Sequence, residues 1–147
     1  MTTTTGGQNS YEEANSATAR TATAGTPAAM YWTGRVISGL VVAMMAMSGV
    51  MKFTGSKQLV DGMAHLGWPD TLAVAIGTAE LISTLLYAIP QTSVLGAILL
   101  TGYLGGAIAT HVRIGEPFVV QAGIGVAVWL GLFVRDARIR ALIPLRR

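Results

Sequence analysis

Residues 71–110 read TLAVAIGTAELISTLLYAIPQTSVLGAILLTGYLGGAIAT, and only Glu80 carries a formal charge among them. Two apolar runs, about Thr71 to Ile89 and about Val94 to Thr110, flank Pro90-Gln91-Thr92-Ser93. Each approaches the roughly 20 residues that an α-helix needs to cross a bilayer. So short a connection permits only a tight helical hairpin. The second run carries essentially no polar face, which a water-soluble four-helix bundle would require. A membrane hairpin is the better reading.

The same logic extends in both directions. A first span runs from about Tyr31 to Phe53, its uncharged interior Val36 to Met51 bracketed by Arg35 and Lys52. Both long side chains can snorkel to an interface, and Tyr31 and Trp32 fit an aromatic belt. Thr54 to Asp70 mixes polar and apolar residues, with Leu59, Val60, Met63 and Leu66 at helical spacing, which suits a short interfacial helix. Gly67-Trp68-Pro69 punctuates the entry to the second span, and Gly115-Glu116-Pro117 makes a turn before a fourth, about Phe118 to Val134. The expected fold is all-α: a four-transmembrane-helix bundle with a short interfacial helix between helices 1 and 2.

Composition agrees. The chain has 147 residues, of which 52% are hydrophobic and 12% charged, against about 25% charged in soluble domains. Residues 1–29, rich in Thr, Ala, Gly and Ser, predict a disordered tail with no signal-peptide pattern. Residues 30–147 make the membrane domain, ending in a basic tail. There is no cysteine, which excludes disulfides and thiolate metal sites. No basic stripe interleaved with aromatics appears, so nucleic acid is not an expected partner; the lipid bilayer is.

Charge asymmetry sets the orientation. Arg20, Arg35, Arg135, Arg138, Arg140, Arg146 and Arg147 would share one side, and Lys52, Lys57 and Arg113 the other. The positive-inside bias then places both termini in the cytoplasm.

Helices in lipid associate through small residues. Ala97, Thr101, Gly105 and Ala109 recur every fourth position beside the pair Gly102 and Gly106, and Gly123, Ala127 and Gly131 repeat the device. These stripes predict tight packing within one protomer or across a homo-oligomer, the former preferred.

Glu80 is the most informative residue. A charged group at the bilayer centre is disfavoured by roughly 2.5–3.5 kcal/mol on insertion scales. It therefore faces the interior, finds a partner or takes up a proton. Gly77, Ser83, Thr84 and Tyr87, at i−3, i+3, i+4 and i+7, line its side of the helix with small and polar groups. Hairpin depth places Thr101 and Tyr103 near its level. Lys52, His111 and Gln121 lie toward the outer side. Together they suggest a cavity for a ligand or proton that opens away from the cytoplasm. The structural alternative is that Glu80 bonds Tyr103 or Lys52 only to fix helix register. One His at a helix end is no metal site, and no Ser-His-Asp set, carboxylate pair or phosphate loop is present, so an independent enzyme is not expected.

Ser48-Gly49-Val50-Met51-Lys52-Phe53, Gly67-Trp68-Pro69, Glu80-Leu81, Pro90 with Val94 to Leu99, and Gly102 to His111 together resemble the DoxX-like family of small bacterial membrane proteins. The resemblance covers about Tyr31 to Arg147. It implies a four-helix membrane fold in a bacterial cytoplasmic membrane, with Lys52, Glu80 and His111 at the polar positions of a candidate site. Some relatives are subunits of quinone-linked or stress-related membrane oxidoreductase complexes. The leading expectation is an accessory subunit of a membrane redox complex, with a quinone near Glu80 and His111. A proton-coupled carrier and a non-catalytic scaffold are the alternatives.

Overall fold

The computed structural model describes residues 28–142. The tail expected over residues 1–29 falls outside them, except for Ala28 and Ala29, as do Arg146 and Arg147. The described elements are all helical: α1 (Ala28–Met51), α2 (Lys57–His65), a 3-10 turn (Asp70–Leu72), α3 (Ala73–Ala88), α4 (Ser93–Arg113), α5 (Val119–Arg135) and α6 (Ala137–Leu142).

Helix α1, the segment Asp70–Ala88 and α4 are long and apolar enough to cross a membrane, and α5 is a shorter apolar helix of 17 residues. Their outer faces carry Leu40, Met47, Leu85, Ile98, Val119 and Val126, all exposed. Exposed apolar side chains on the outer faces of all four helices match a hydrocarbon solvent. The protein is a helical membrane protein.

The four long helices form a ring in chain order. α3 packs on α1 and α4, and α5 packs on α4 and returns to α1. The core at its centre includes Val41, Met45, Tyr87, Ala97, Leu100, Leu104, Val128 and Leu132.

Close approach occurs at single glycines. A methyl group on Gly96 would lie 2.1 Å from the Tyr87 backbone nitrogen, so the α3–α4 hairpin closes only because none is there. At the α1–α3 crossing Gly77 sits against Gly49, and a Cβ on Gly77 would meet the Gly49 carbonyl at 3.0 Å. Two stripe residues share this duty: Ala97 is fully buried, and Gly131 abuts Ser38 of α1. Ala127 packs against the core partly buried. Gly102, Gly105, Gly106 and Gly123 do not pack; a Cβ on any of them would meet nothing within 4 Å. For these four the expected tight packing within the protomer is corrected: they face a cavity or the outer surface.

Two polar groups bind the end of the bundle where α5 finishes. The buried Tyr87 hydroxyl donates to the Val128 carbonyl at 2.8 Å, so Ser38 Oγ, 3.0 Å away, donates to Tyr87. This joins α1, α3 and α5 through one ring. The basic C-terminal segment is not simply a tail, because α6 lies on α5. There Arg140 donates to the Phe133 and Val134 carbonyls, satisfying acceptors that a helix end leaves open.

At the opposite end α2 forms as its spacing predicts. Ser56 caps it by accepting from the Leu59 N–H at 3.3 Å. Gly67, at φ 71°, ends it, with the Trp68 N–H bonded to the Met63 carbonyl at 2.9 Å. Gly115 ends α4 in the same way at φ 74°, and the Glu116 N–H reaches the His111 carbonyl at 3.0 Å.

Candidate functional site

Beneath α2, between α1, α3, α4 and α5, lies a cavity of about 600 Å³. That size falls within the range of small-molecule sites. Its walls are mostly apolar, with Met44 and Met45 from α1, Met63 from α2, Ile76 from α3 and Ile124 from α5. Gly102 and Gly106 supply a bare stretch of α4.

Glu80 forms the deep polar end. The expected inward face of α3 is observed, since Gly77, Glu80, Ser83, Thr84 and Tyr87 are all buried. Glu80 has no exposed surface. Its Oε2 accepts from Lys52 Nζ at 2.7 Å and from the Tyr103 hydroxyl at 2.8 Å. Lys52 therefore turns into the bundle instead of snorkelling outward, and it also donates to Ser48 Oγ at 3.0 Å. Glu80 Oε1, equally buried, has no partner.

Thr101 does not join this group. Its hydroxyl donates to the Ala97 carbonyl and accepts from Trp129 Nε1 at 2.9 Å, in a groove between α4 and α5. The reason is azimuth. Residues two apart on a helix differ by roughly 200° around its axis, so Thr101 and Tyr103 share a depth but not a face.

His111 and Gln121 form the second polar end. His111 Nδ1 lies 2.8 Å from the Ala107 carbonyl, which can only accept, so that nitrogen carries the proton. In the neutral ring Nε2 is then an acceptor. Gln121 turns its amide nitrogen toward it at 3.0 Å, and Gln121 Oε1 is left buried and unpaired. The expected shared depth of His111 and Gln121 is thus a direct contact.

Three participants escaped sequence reading. Ser48 stands one turn before Lys52, the one signal that the sequence offers for it. Glu116 Oε1 accepts from His65 Nε2 at 2.6 Å, while its other oxygen lies 4.0 Å from His111 Nε2. Arg113 donates to the Leu66 carbonyl at 2.6 Å and covers the Trp68 ring at 5.4 Å. These ties draw α2 over the cavity.

The model of the DoxX-like family matches residues 36–134, which takes in most of α1, all of α3 and α4, α5 but for its last residue, and every residue of the cavity. The chain belongs to the DoxX-like family. No curated protein and no solved structure gives a significant match. In this DoxX-like chain the motif residues Lys52, Glu80 and His111 all line one cavity, with Tyr103 and Gln121 beside them. Among the described residues no group of His, Asp and Glu could hold a metal ion.

Proposed function

We propose that this DoxX-like protein is a ligand-binding accessory subunit of a membrane redox complex, taking a quinone-class molecule in the cavity between Glu80 and His111. The observation that carries this reading is the cavity itself: a roomy apolar chamber with polar groups at only two places. That pattern suits a ligand with an apolar body and a small polar head. Four spans are proposed, with α5 as the fourth, in a bacterial cytoplasmic membrane with both termini in the cytoplasm. The cavity then faces the outer half of the bilayer. A ligand soluble in the membrane can reach it there.

Purification from native membranes in mild detergent, followed by mass spectrometry of bound lipids and proteins, tests the reading. A co-purifying quinone-class molecule together with a redox partner supports it. Protein free of both would remove it and favour a carrier or a scaffold.

One observation favours self-association as well. Gly105 and Gly123 face outward with open space before them, and Gly105 lines the groove between α4 and α5. Bare helix of this kind allows a second protomer to approach closely. Crosslinking through a cysteine introduced at Gly123 should report it, and absence of any dimer would exclude this face.

A further inference from the structure

Most donor protons around the cavity already have protein acceptors. Lys52 spends its ammonium protons on Glu80 Oε2, Ser48 Oγ and, at 3.4 Å, the Ser48 carbonyl. Tyr103 spends its single proton on Glu80. Thr110 donates to the Gly106 carbonyl within its own helix, and His111 donates to Ala107. Gln121 gives an amide proton to His111. These protons are committed to protein acceptors, while Ser48, Trp68 and Gln121, through its second amide proton, keep donors of their own.

Two buried acceptors remain without a donor. Glu80, paired with the Lys52 ammonium, is a carboxylate, and its Oε1 can only accept. Gln121 Oε1 can only accept, and its orientation follows from the Ala107 carbonyl through the imidazole. Both are buried, both lack a partner, and their residues line the same cavity. Buried acceptors without donors are disfavoured by the full desolvation of the group. The charges of Lys52 and Glu80 offset each other, so nothing calls for a cationic ligand.

We infer that the cavity selects a neutral, membrane-soluble molecule that presents hydroxyl donors to Glu80 Oε1 and Gln121 Oε1. This rests on the ligand-pocket reading above and narrows it. Of a quinone-class pair, the hydroxyl-bearing hydroquinone can satisfy both acceptors, whereas the carbonyl-bearing quinone leaves both unpaired. A hydroxyl-headed lipid has the same chemistry from another source.

The test uses the full-length protein in nanodiscs and three probes: a short-tailed alkyl hydroquinone, its quinone form, and a monoacylglycerol. Binding is followed by fluorescence of Trp68 and checked by equilibrium dialysis. The hydroquinone should bind at least about tenfold more tightly than the quinone, the scale of one or two net hydrogen bonds. Gln121→Met should weaken hydroquinone binding about three- to tenfold and leave the quinone unchanged. Quinone binding as tight as hydroquinone binding would overturn the donor inference and leave the quinone-class reading standing. Monoacylglycerol binding without hydroquinone binding would keep the donor inference and overturn that reading. Failure of all three probes would overturn both.

Discussion

Lys52 Nζ and Glu80 Oε2 stand 2.7 Å apart between α1 and α3, with the carboxylate fully buried and the lysine side chain 16% exposed. At that depth each charge is tolerated because of the other, and Tyr103 completes the arrangement. The pair lies one turn from the Gly49–Gly77 contact, so backbone proximity holds the charges together.

Removing one charge should therefore cost more than removing both. Lys52→Met leaves a buried carboxylate and should destabilise the fold by about 3–5 kcal/mol. Adding Glu80→Gln should recover much of that loss. Denaturant titration in detergent of the two singles and the double measures the coupling; strictly additive effects would mean the pair contributes no interaction of its own.

The glycines divide into two classes with opposite outcomes. Gly96→Ala forces a methyl into the Tyr87 backbone and should destabilise by about 1–3 kcal/mol or prevent folding. Gly123→Ala meets open space and should be neutral or stabilise by up to about 1 kcal/mol through helix propensity. Thermal unfolding by circular dichroism separates them, and equal behaviour would refute the assigned crossing.

Filling the cavity should abolish binding and spare the fold. In Gly102→Leu and Gly106→Leu the new side chains enter the chamber with no backbone in the way. Co-purifying ligand should disappear while the unfolding temperature stays within a few degrees. Were ligand retained, the cavity would not be its site.

Tyr87→Phe keeps the buried ring and deletes the hydroxyl that joins Ser38 to the Val128 carbonyl. A loss of about 1–3 kcal/mol is expected from the unpaired buried groups. Ser38→Ala should cost less, since the bond from Tyr87 to Val128 persists. A larger loss for Ser38→Ala would reverse the assigned donor direction.

The ties on α2 act locally. Arg113→Ala with Glu116→Ala removes the bonds to the Leu66 carbonyl and His65. Amide exchange should quicken across residues 57–68, with α1, α3, α4 and α5 unchanged. Uniform exchange throughout the chain would show that these residues support the whole bundle.

How far the sequence reaches is clearest from individual residues. Helix existence was legible because long uncharged stretches have one stable form in lipid, and Glu80 stood out as a charge inside one. Tyr103 followed from depth along a hairpin, and Gln121 from its place early in the last span. Thr101 did not, because depth says nothing about direction around the axis. The GxxxG pattern drew attention to Gly102 and Gly106, whereas helices crossing at an angle touch at single points such as Gly49, Gly77 and Gly96, which leave no repeat. Glu116 was hidden because its place depends on a left-handed Gly115 and on a histidine 51 residues away. The α6 helix lacks any strong apolar signature, although Ile139 within it is buried.

The ring is closed by α1 and α5, the two long helices farthest apart in the chain. Ribosomal synthesis delivers α1, α3 and α4 to the bilayer before α5 exists, so the nascent bundle has an unfinished wall toward lipid. Val120, Gln121 and Ile124, which complete that wall, arrive last. The cavity therefore has its full wall only once the last long helix has docked.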